Sequence, residues 1–247
     1  MMFPFIHTID SEAALIALLP EAKRLLDERG IWLVTLRLSP FYAHHLSHYL
    51  TQEEQQRAER FYFVELRERF TSARAALRLV LGEFLGVLPW QLELLQNPKG
   101  KPYIADRALD FNLSHSQDVA MIAFSRLGAV GVDVEYLRPQ EHLLALAQRV
   151  CSSAELMELH TLNPQQQLLA FYRMWTRKEA FIKCLGGSIA GELKAISVSL
   201  GPKAELFEAP QLDKALAQNK WKYLLFDLTS QIQPLISCLC LEHQAAP

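Results

Sequence analysis

The chain has 247 residues, half of them apolar, and a formal net charge of −2. That length allows one large domain or two of roughly 120 residues, burying roughly three quarters of the unfolded surface. The charge excludes a global electrostatic attraction to nucleic acid or an anionic membrane. No run approaches the ~20 apolar residues of a membrane span. Met1–His7 lacks the basic-then-apolar order of a signal peptide. Cys151, Cys184, Cys238 and Cys240 form no C-x-x-C pair, which suits reduced thiols in a cytoplasmic protein.

A helical pattern begins at Ser11, restarts after Pro20 and stops at Gly30, and Ile31 to Leu38 reads as a strand. Thr51-Gln52-Glu53-Glu54 has the spacing of a capping box. It opens a helix to about Arg60, and a second, more apolar helix runs from about Leu66 to Leu85 with Gly86 as its stop. Asn97-Pro98-Lys99-Gly100 is a turn, and strands are predicted at Asp110–Leu113, Val119–Phe124 and Val130–Tyr136. The second half repeats this order. Ser152 to Glu155 is another capping box, and Asn163-Pro164 opens a long helix to about Leu185. Strand-like runs follow at Leu193–Leu200, Trp221–Leu228 and Leu235–Leu241. The capping glutamates Glu54 and Glu155 lie 101 positions apart, and the Leu-Gly helix ends at Gly82 and Gly186 lie 104 apart. This spacing is that of a duplication, or of two unrelated α/β halves sharing common cap chemistry. Val34 and Leu36 occupy the first-half strand where Asp133 and Glu135 occupy the second, so one metal site is expected, not two.

Asp133 and Glu135 are two apart in a strand and point to one face. Glu179 and Lys183 are four apart in a helix and share a face. Three carboxylates converging on a point require a positive partner, and Mg²⁺ that keeps part of its shell for phosphate oxygens is the usual one. Read singly, the strand pair is also what any half-buried strand with one wet face looks like, and the helix pair is a common surface pair. Arg57, Arg60, Arg67, Arg69, Arg74 and Arg78 crowd one stretch, with Arg67, Arg74 and Arg78 on one helix face. They are candidates for a phosphate monoester or for a docking edge, or a solvated face laced with Glu59, Glu65 and Glu68. Gly100-Lys101-Pro102-Tyr103 presents a lysine in a turn. Phe111-Asn112-Leu113-Ser114-His115-Ser116 ends a strand in polar side chains, where ligands often meet backbone.

Joined in order, the arginine-rich helix, Gly100 to Tyr103, Phe111 to Ser116, Gly131-Val132-Asp133-Val134-Glu135 and Trp175-Thr176-Arg177-Lys178-Glu179-Ala180-Phe181-Ile182-Lys183 resemble the 4′-phosphopantetheinyl transferases. The kind is the long, monomeric, surfactin-synthase-activating one. Two positions depart from the usual pattern: Glu65 in Phe63-Val64-Glu65-Leu66, and the loop Gly186-Gly187-Ser188-Ile189. The resemblance implies an α+β fold of two pseudo-twofold α/β halves, each a small, mainly antiparallel sheet on a long helix, with the active site in the cleft between them. The halves would be 1–127, contributing to coenzyme A binding, and 128–247, holding the metal and catalytic residues. It implies transfer of phosphopantetheine from coenzyme A to a serine of an apo acyl or peptidyl carrier protein, with release of adenosine 3′,5′-bisphosphate. Asp133, Glu135 and Glu179 would ligate Mg²⁺, with Mn²⁺ as the alternative. Glu179 and Lys183 would be catalytic, and Arg60, Arg69, Lys101, Pro102, Ser114, His115, Asp133 and Lys178 would contact coenzyme A. A carrier- or coenzyme A-binding module without catalysis, and a metal-dependent phosphohydrolase, are the competing readings.

Overall fold

The computed structural model describes residues 7–38, 46–105, 109–187, 193–209, 221–228 and 235–244. Met1–Ile6 and the loop residues Ser188 and Ile189 therefore lie outside the described residues. The first unit begins with β1 (His7–Ile9), α1 (Glu12–Arg29) and β2 (Ile31–Arg37). The Ser11 hydroxyl caps α1 by accepting from the Ala14 amide, and Gly30 closes it with φ 74°. Pro20 does not restart the helix as expected. It lies inside a continuous α1, on the exposed side, where the carbonyl left without a donor can bond water.

Two helices follow, α2 (Gln52–Glu59) and α3 (Val64–Leu85). A short hairpin, β3 (Leu95–Gln96) and β4 (Pro102–Tyr103), flanks the expected 97–100 turn. Then come β5 (Asp110–Ser116), β6 (Val119–Ser125) and β7 (Val130–Tyr136). The second unit adds α4 (Leu143–Val150), α5 (Ser153–Thr161) and α6 (Pro164–Cys184). Its last strands are β8 (Ser197–Val198), β9 (Leu206–Glu208), β10 (Trp221–Leu228) and β11 (Leu235–Gln244). The run 193–200 is thus a short 3₁₀ turn and a two-residue strand, not one long strand. Gly82 is not a helix end. It lies inside α3, close to the Val87 carbonyl and the Pro89 ring, and Gly86 caps the helix.

The main sheets are β1-β2-β6-β5 and β10-β11-β7. All pairings in them are antiparallel except β1 with β2. Alternation along the strands sorts the side chains into layers. Trp32, Val34 and Leu36 face α1 and α3, with Trp32 packed against Phe84 and Phe124 at 5.7 Å between ring centroids. Ile31, Leu33, Met121 and Ala123 face the other way, into a core shared with Val130, Val132, Val134, Leu239 and Leu241 of the second sheet. The far side of that sheet packs on α6 through Cys238 and Cys240, in a core with Phe181 and Cys184. The molecule is mixed α/β, built as helices, sheet, sheet, helices. All four cysteines are free and buried. Among the described residues no helix is long and apolar enough to cross a membrane.

The same device ties each long helix to a capping box. Glu54 caps α2 and is ion-paired with Arg74 and Arg78 of α3, both at 2.5 Å. Glu155 caps α5 and is ion-paired with Lys178 of α6 at 2.5 Å. Burial pushes the Glu54 carboxyl up, but Arg78, Arg74 and the Thr51 amide outweigh it and hold it below the usual range. Arg78 is therefore a core residue of the first unit, and Arg74, half-buried beside it, is held by the same glutamate.

Candidate active site

Strand β5 lies parallel to β7 and reaches it with every second side chain. The Val130 amide donates to Asp110 at 2.7 Å and the Val132 amide to Asn112 at 2.8 Å. The Ser114 hydroxyl donates to Asp133 Oδ1 at 2.8 Å, and the Ser116 hydroxyl to Glu135 Oε2 at 2.7 Å. Ser116 also accepts from the Tyr136 amide. Asp110, Asn112, Ser114 and Ser116 thus satisfy the edge of β7 and aim its two carboxylates. Ser116 was not a candidate on sequence, although its period-two place after Ser114 carried the signal.

On the other side of β7, Gly131 lets α6 approach backbone to backbone. A Cβ there would stand 2.0 Å from the Ala180 carbonyl oxygen and 2.3 Å from the Cys184 nitrogen. That contact sets the register of helix on strand. Lys183 Nζ then reaches Asp133 Oδ1 at 2.5 Å and Ser114 Oγ at 3.0 Å. Glu179, one turn earlier, is buried and feels Lys183, Asp133 and Glu135. Burial first, then the two neighbouring carboxylates, push its carboxyl up to about 7, against the pull of Lys183. Glu135 is also raised, chiefly by burial and then by Asp133, with the Ser116 hydrogen bond opposing.

The three carboxylates are coupled, but they are not gathered into a ready-made cage. Among the described residues no three His, Cys, Asp or Glu side chains form a metal-ligating group. The reason is visible in the bonding: Lys183 and Ser114 hold one oxygen of Asp133, and Ser116 holds one of Glu135. Two buried oxygens, Asp133 Oδ2 and Glu179 Oε1, nevertheless have no hydrogen-bond donor. Buried carboxylate oxygens without donors are costly, and hard oxygen donors of this kind suit Mg²⁺. The donor set fits that cation.

The remaining candidates divide. His115 is exposed at the end of β5. Its imidazole is pushed down by desolvation, then by Lys183 and Arg69, with Asp133 opposing. The field of Arg69 therefore reaches the end of β5. Arg60 is exposed at the end of α2. Lys101 and Pro102 are at the other end of β5, roughly 13 Å from Ser114 along the strand. There the Lys101 ammonium donates to Asp110 at 2.8 Å and to the Val130 carbonyl at 2.9 Å. Lys101 lines a cleft of about 520 Å³, with Asn97, Tyr103, Asp110, Ala129 and Gly186 among others.

Lys178 is not brought to the site. Successive helix residues are ~100° apart, which turns Lys178 away from Glu179 and Lys183. Its buried ammonium donates to Glu155, the Val150 carbonyl and the Leu193 carbonyl. Three donors meet three acceptors, leaving none for a ligand. The preceding Arg177 is likewise internal, paired with Asp227 and bonded to Ser199.

Comparison with known proteins bears on this arrangement. The family model described as the 4′-phosphopantetheinyl transferase superfamily matches residues 129–233. A second, described as 4′-phosphopantetheinyl transferase, N-terminal, matches residues 39–126. The chain is 40% identical over 197 residues to the 4′-phosphopantetheinyl transferase HetI of Nostoc sp., covering 77% of this chain and 83% of that protein. It is 41% identical over 137 residues to the 4′-phosphopantetheinyl transferase AcpT of Salmonella typhimurium, covering 55% and 69%. It is 30% identical over 152 residues to a 4′-phosphopantetheinyl transferase of Bacillus subtilis, covering 61% and 66%.

Proposed function

The chain belongs to the 4′-phosphopantetheinyl transferase superfamily and is an enzyme of that class, and from that premise we propose that it transfers phosphopantetheine from coenzyme A to a serine of an apo acyl or peptidyl carrier protein. Adenosine 3′,5′-bisphosphate would be the other product. The observation that carries this reading is the coupled set Asp133, Glu135, Glu179 and Lys183, with two buried carboxylate oxygens lacking donors.

Asp133, Glu135 and Glu179 would hold Mg²⁺, or Mn²⁺, whose charge when bound would offset that of the pyrophosphate oxygens. Ionised Glu179 would take the proton of the carrier serine hydroxyl, which is a poor nucleophile at neutral pH without a base. The serine oxygen forms its bond to the phosphorus carrying the pantetheine arm. The bond from that phosphorus to the nucleotide's bridging oxygen breaks, and the electron pair leaves with the bisphosphate. Lys183, whose ammonium already lies between Asp133 and Ser114, would neutralise or protonate that departing group. Ser114 and His115 would meet the phosphate and ribose, and Arg60 and Arg69 the 3′-phosphate. Lys101 and Pro102 would contribute at the far end of β5, through the turn and its backbone.

The two buried capping glutamates, each clamped to a long helix, support a pseudo-twofold pair of halves, 1–127 and 128–247, with the site at their junction. We place the enzyme in the cytoplasm as a monomer. The test is to mix the protein with coenzyme A, Mg²⁺ and a panel of apo carriers and to weigh the carriers. A gain of one phosphopantetheine mass is expected, abolished in Asp133→Ala and Glu179→Ala. A folded protein that labels no carrier would refute the reading.

A further inference from the structure

The approach to α3 carries four exposed apolar side chains within five residues. Tyr62 is 91% exposed, Phe63 59%, Val64 49% and Leu66 43%. Tyr62 and Phe63 pack edge to face at 5.1 Å between ring centroids, so each limits the other's motion. An apolar run this exposed is unusual for a surface that meets only water. Nothing in the catalytic arrangement uses it.

Its surroundings define what would cover it. Arg60, Arg67 and Arg69 make no side-chain hydrogen bond or ion pair among the described residues, unlike Arg74 and Arg78, which are engaged with Glu54. Free guanidinium groups beside exposed aromatic rings suit a partner that is apolar and carboxylate-bearing. Glu59, Glu65 and Glu68 lie among them, so the selection is by local arginine contacts and not by a broad positive field.

Size and position narrow the partner further. Two aromatic rings at roughly 150–250 Å² each, with Val64 and Leu66, fall short of the ~800 Å² per partner of a stable interface. They fit a transient encounter, as a substrate that must leave requires. Arg69 lies five residues beyond Val64, ~8 Å along the helix, and its charge reaches His115 at the end of β5.

We propose that this tip is the docking surface for the apo carrier protein, receiving an apolar, carboxylate-bearing face across Tyr62, Phe63 and Leu66, with a carboxylate on Arg67. The inference rests on the transferase reading above. It is tested by Tyr62→Ser/Phe63→Ser and by Arg67→Glu, all at surface positions that leave the core intact. For any carrier the native enzyme labels, KM for the carrier rises about tenfold or more, while kcat changes less than about twofold and coenzyme A affinity by calorimetry is unchanged. Val87→Ser/Leu88→Ser, a second exposed apolar pair, leaves KM unchanged. Labelling with an unaltered carrier KM in both tip variants overturns the docking surface alone. An equal effect from the 87/88 variant, or a native dimer that the tip variants dissociate in sedimentation, also overturns it. Failure of the native enzyme to label any carrier removes the transferase reading and the docking surface together.

Discussion

Glu179 is the side chain whose titration its surroundings alter most in the direction of function. In the metal-free protein, burial and the neighbouring carboxylates push its carboxyl up to about 7, and a bound cation would favour its ionised form. The same shift has a stability consequence. Its folded pKa lies above the unfolded value, so the folded state binds the proton more tightly. The cost is absent below about 4.5, grows as pH rises towards 7 and is complete above it. Glu179→Gln removes the charge, so thermal denaturation at pH 8 should show the variant more stable by up to roughly 3 kcal/mol, with the difference gone near pH 4. Millimolar Mg²⁺ should raise the native melting temperature at pH 8 more than that of Glu179→Gln. A larger or equal rise in the variant would remove Glu179 from the cation's donors. Glu179 and Lys183 were legible in the sequence because a four-residue spacing fixes a shared helix face. The same geometry turns Lys178 away, and its partner, Glu155, is the N3 residue of another helix's capping box.

At the scale of elements, the site depends on how closely α6 approaches β7, and Gly131 decides that. A methyl group there would collide with backbone atoms of Ala180 and Cys184, which cannot swing aside. Gly131→Ala should therefore destabilise by about 3 kcal/mol or more, measured as a lower denaturant midpoint. Transfer activity should fall even where the variant stays folded, since Lys183 and Glu179 shift relative to Asp133. A stable, fully active Gly131→Ala would show that the helix seat is not what aligns the site. The long helices, their capping boxes and the central strands were legible because hydrophobic period and cap chemistry are local. What escaped was set by tertiary contact. The two- and three-residue strands β3, β4, β8 and β9 exist only through pairing, and α4 has no side-chain cap. Gly82 looked like a helix stop but is a packing position against Pro89.

The whole molecule is held by a core that belongs to both sheets. Ile31, Leu33, Met121 and Ala123 meet Val132, Val134, Leu239 and Leu241 with no helix between them. At roughly 1.5–3 kcal/mol per large side chain, exposing either set costs on the order of 10 kcal/mol, comparable to the whole stability of a domain. Neither half can therefore open while the other stays folded. The proposed site spans the seam: Lys183 of α6 bonds Ser114 of β5 at 3.0 Å, and Asn97 bonds the Gly186 carbonyl at 2.8 Å. The capping clamps give a way to test this from each side. Glu54→Gln leaves the buried guanidinium of Arg78 and the half-buried one of Arg74 short of a charge partner, and Glu155→Gln does the same to Lys178. Each should cost about 3–5 kcal/mol. Because the two clamps share no partner, the double variant should lose about the sum of the two. Native-state hydrogen exchange should show amides of β2 and β11 losing protection together in both single variants, with activity lost at the same denaturant concentration. If Glu54→Gln loosens β2 while β11 keeps its native protection, the halves unfold independently, and the shared core does not couple the stability of one to the chemistry of the other.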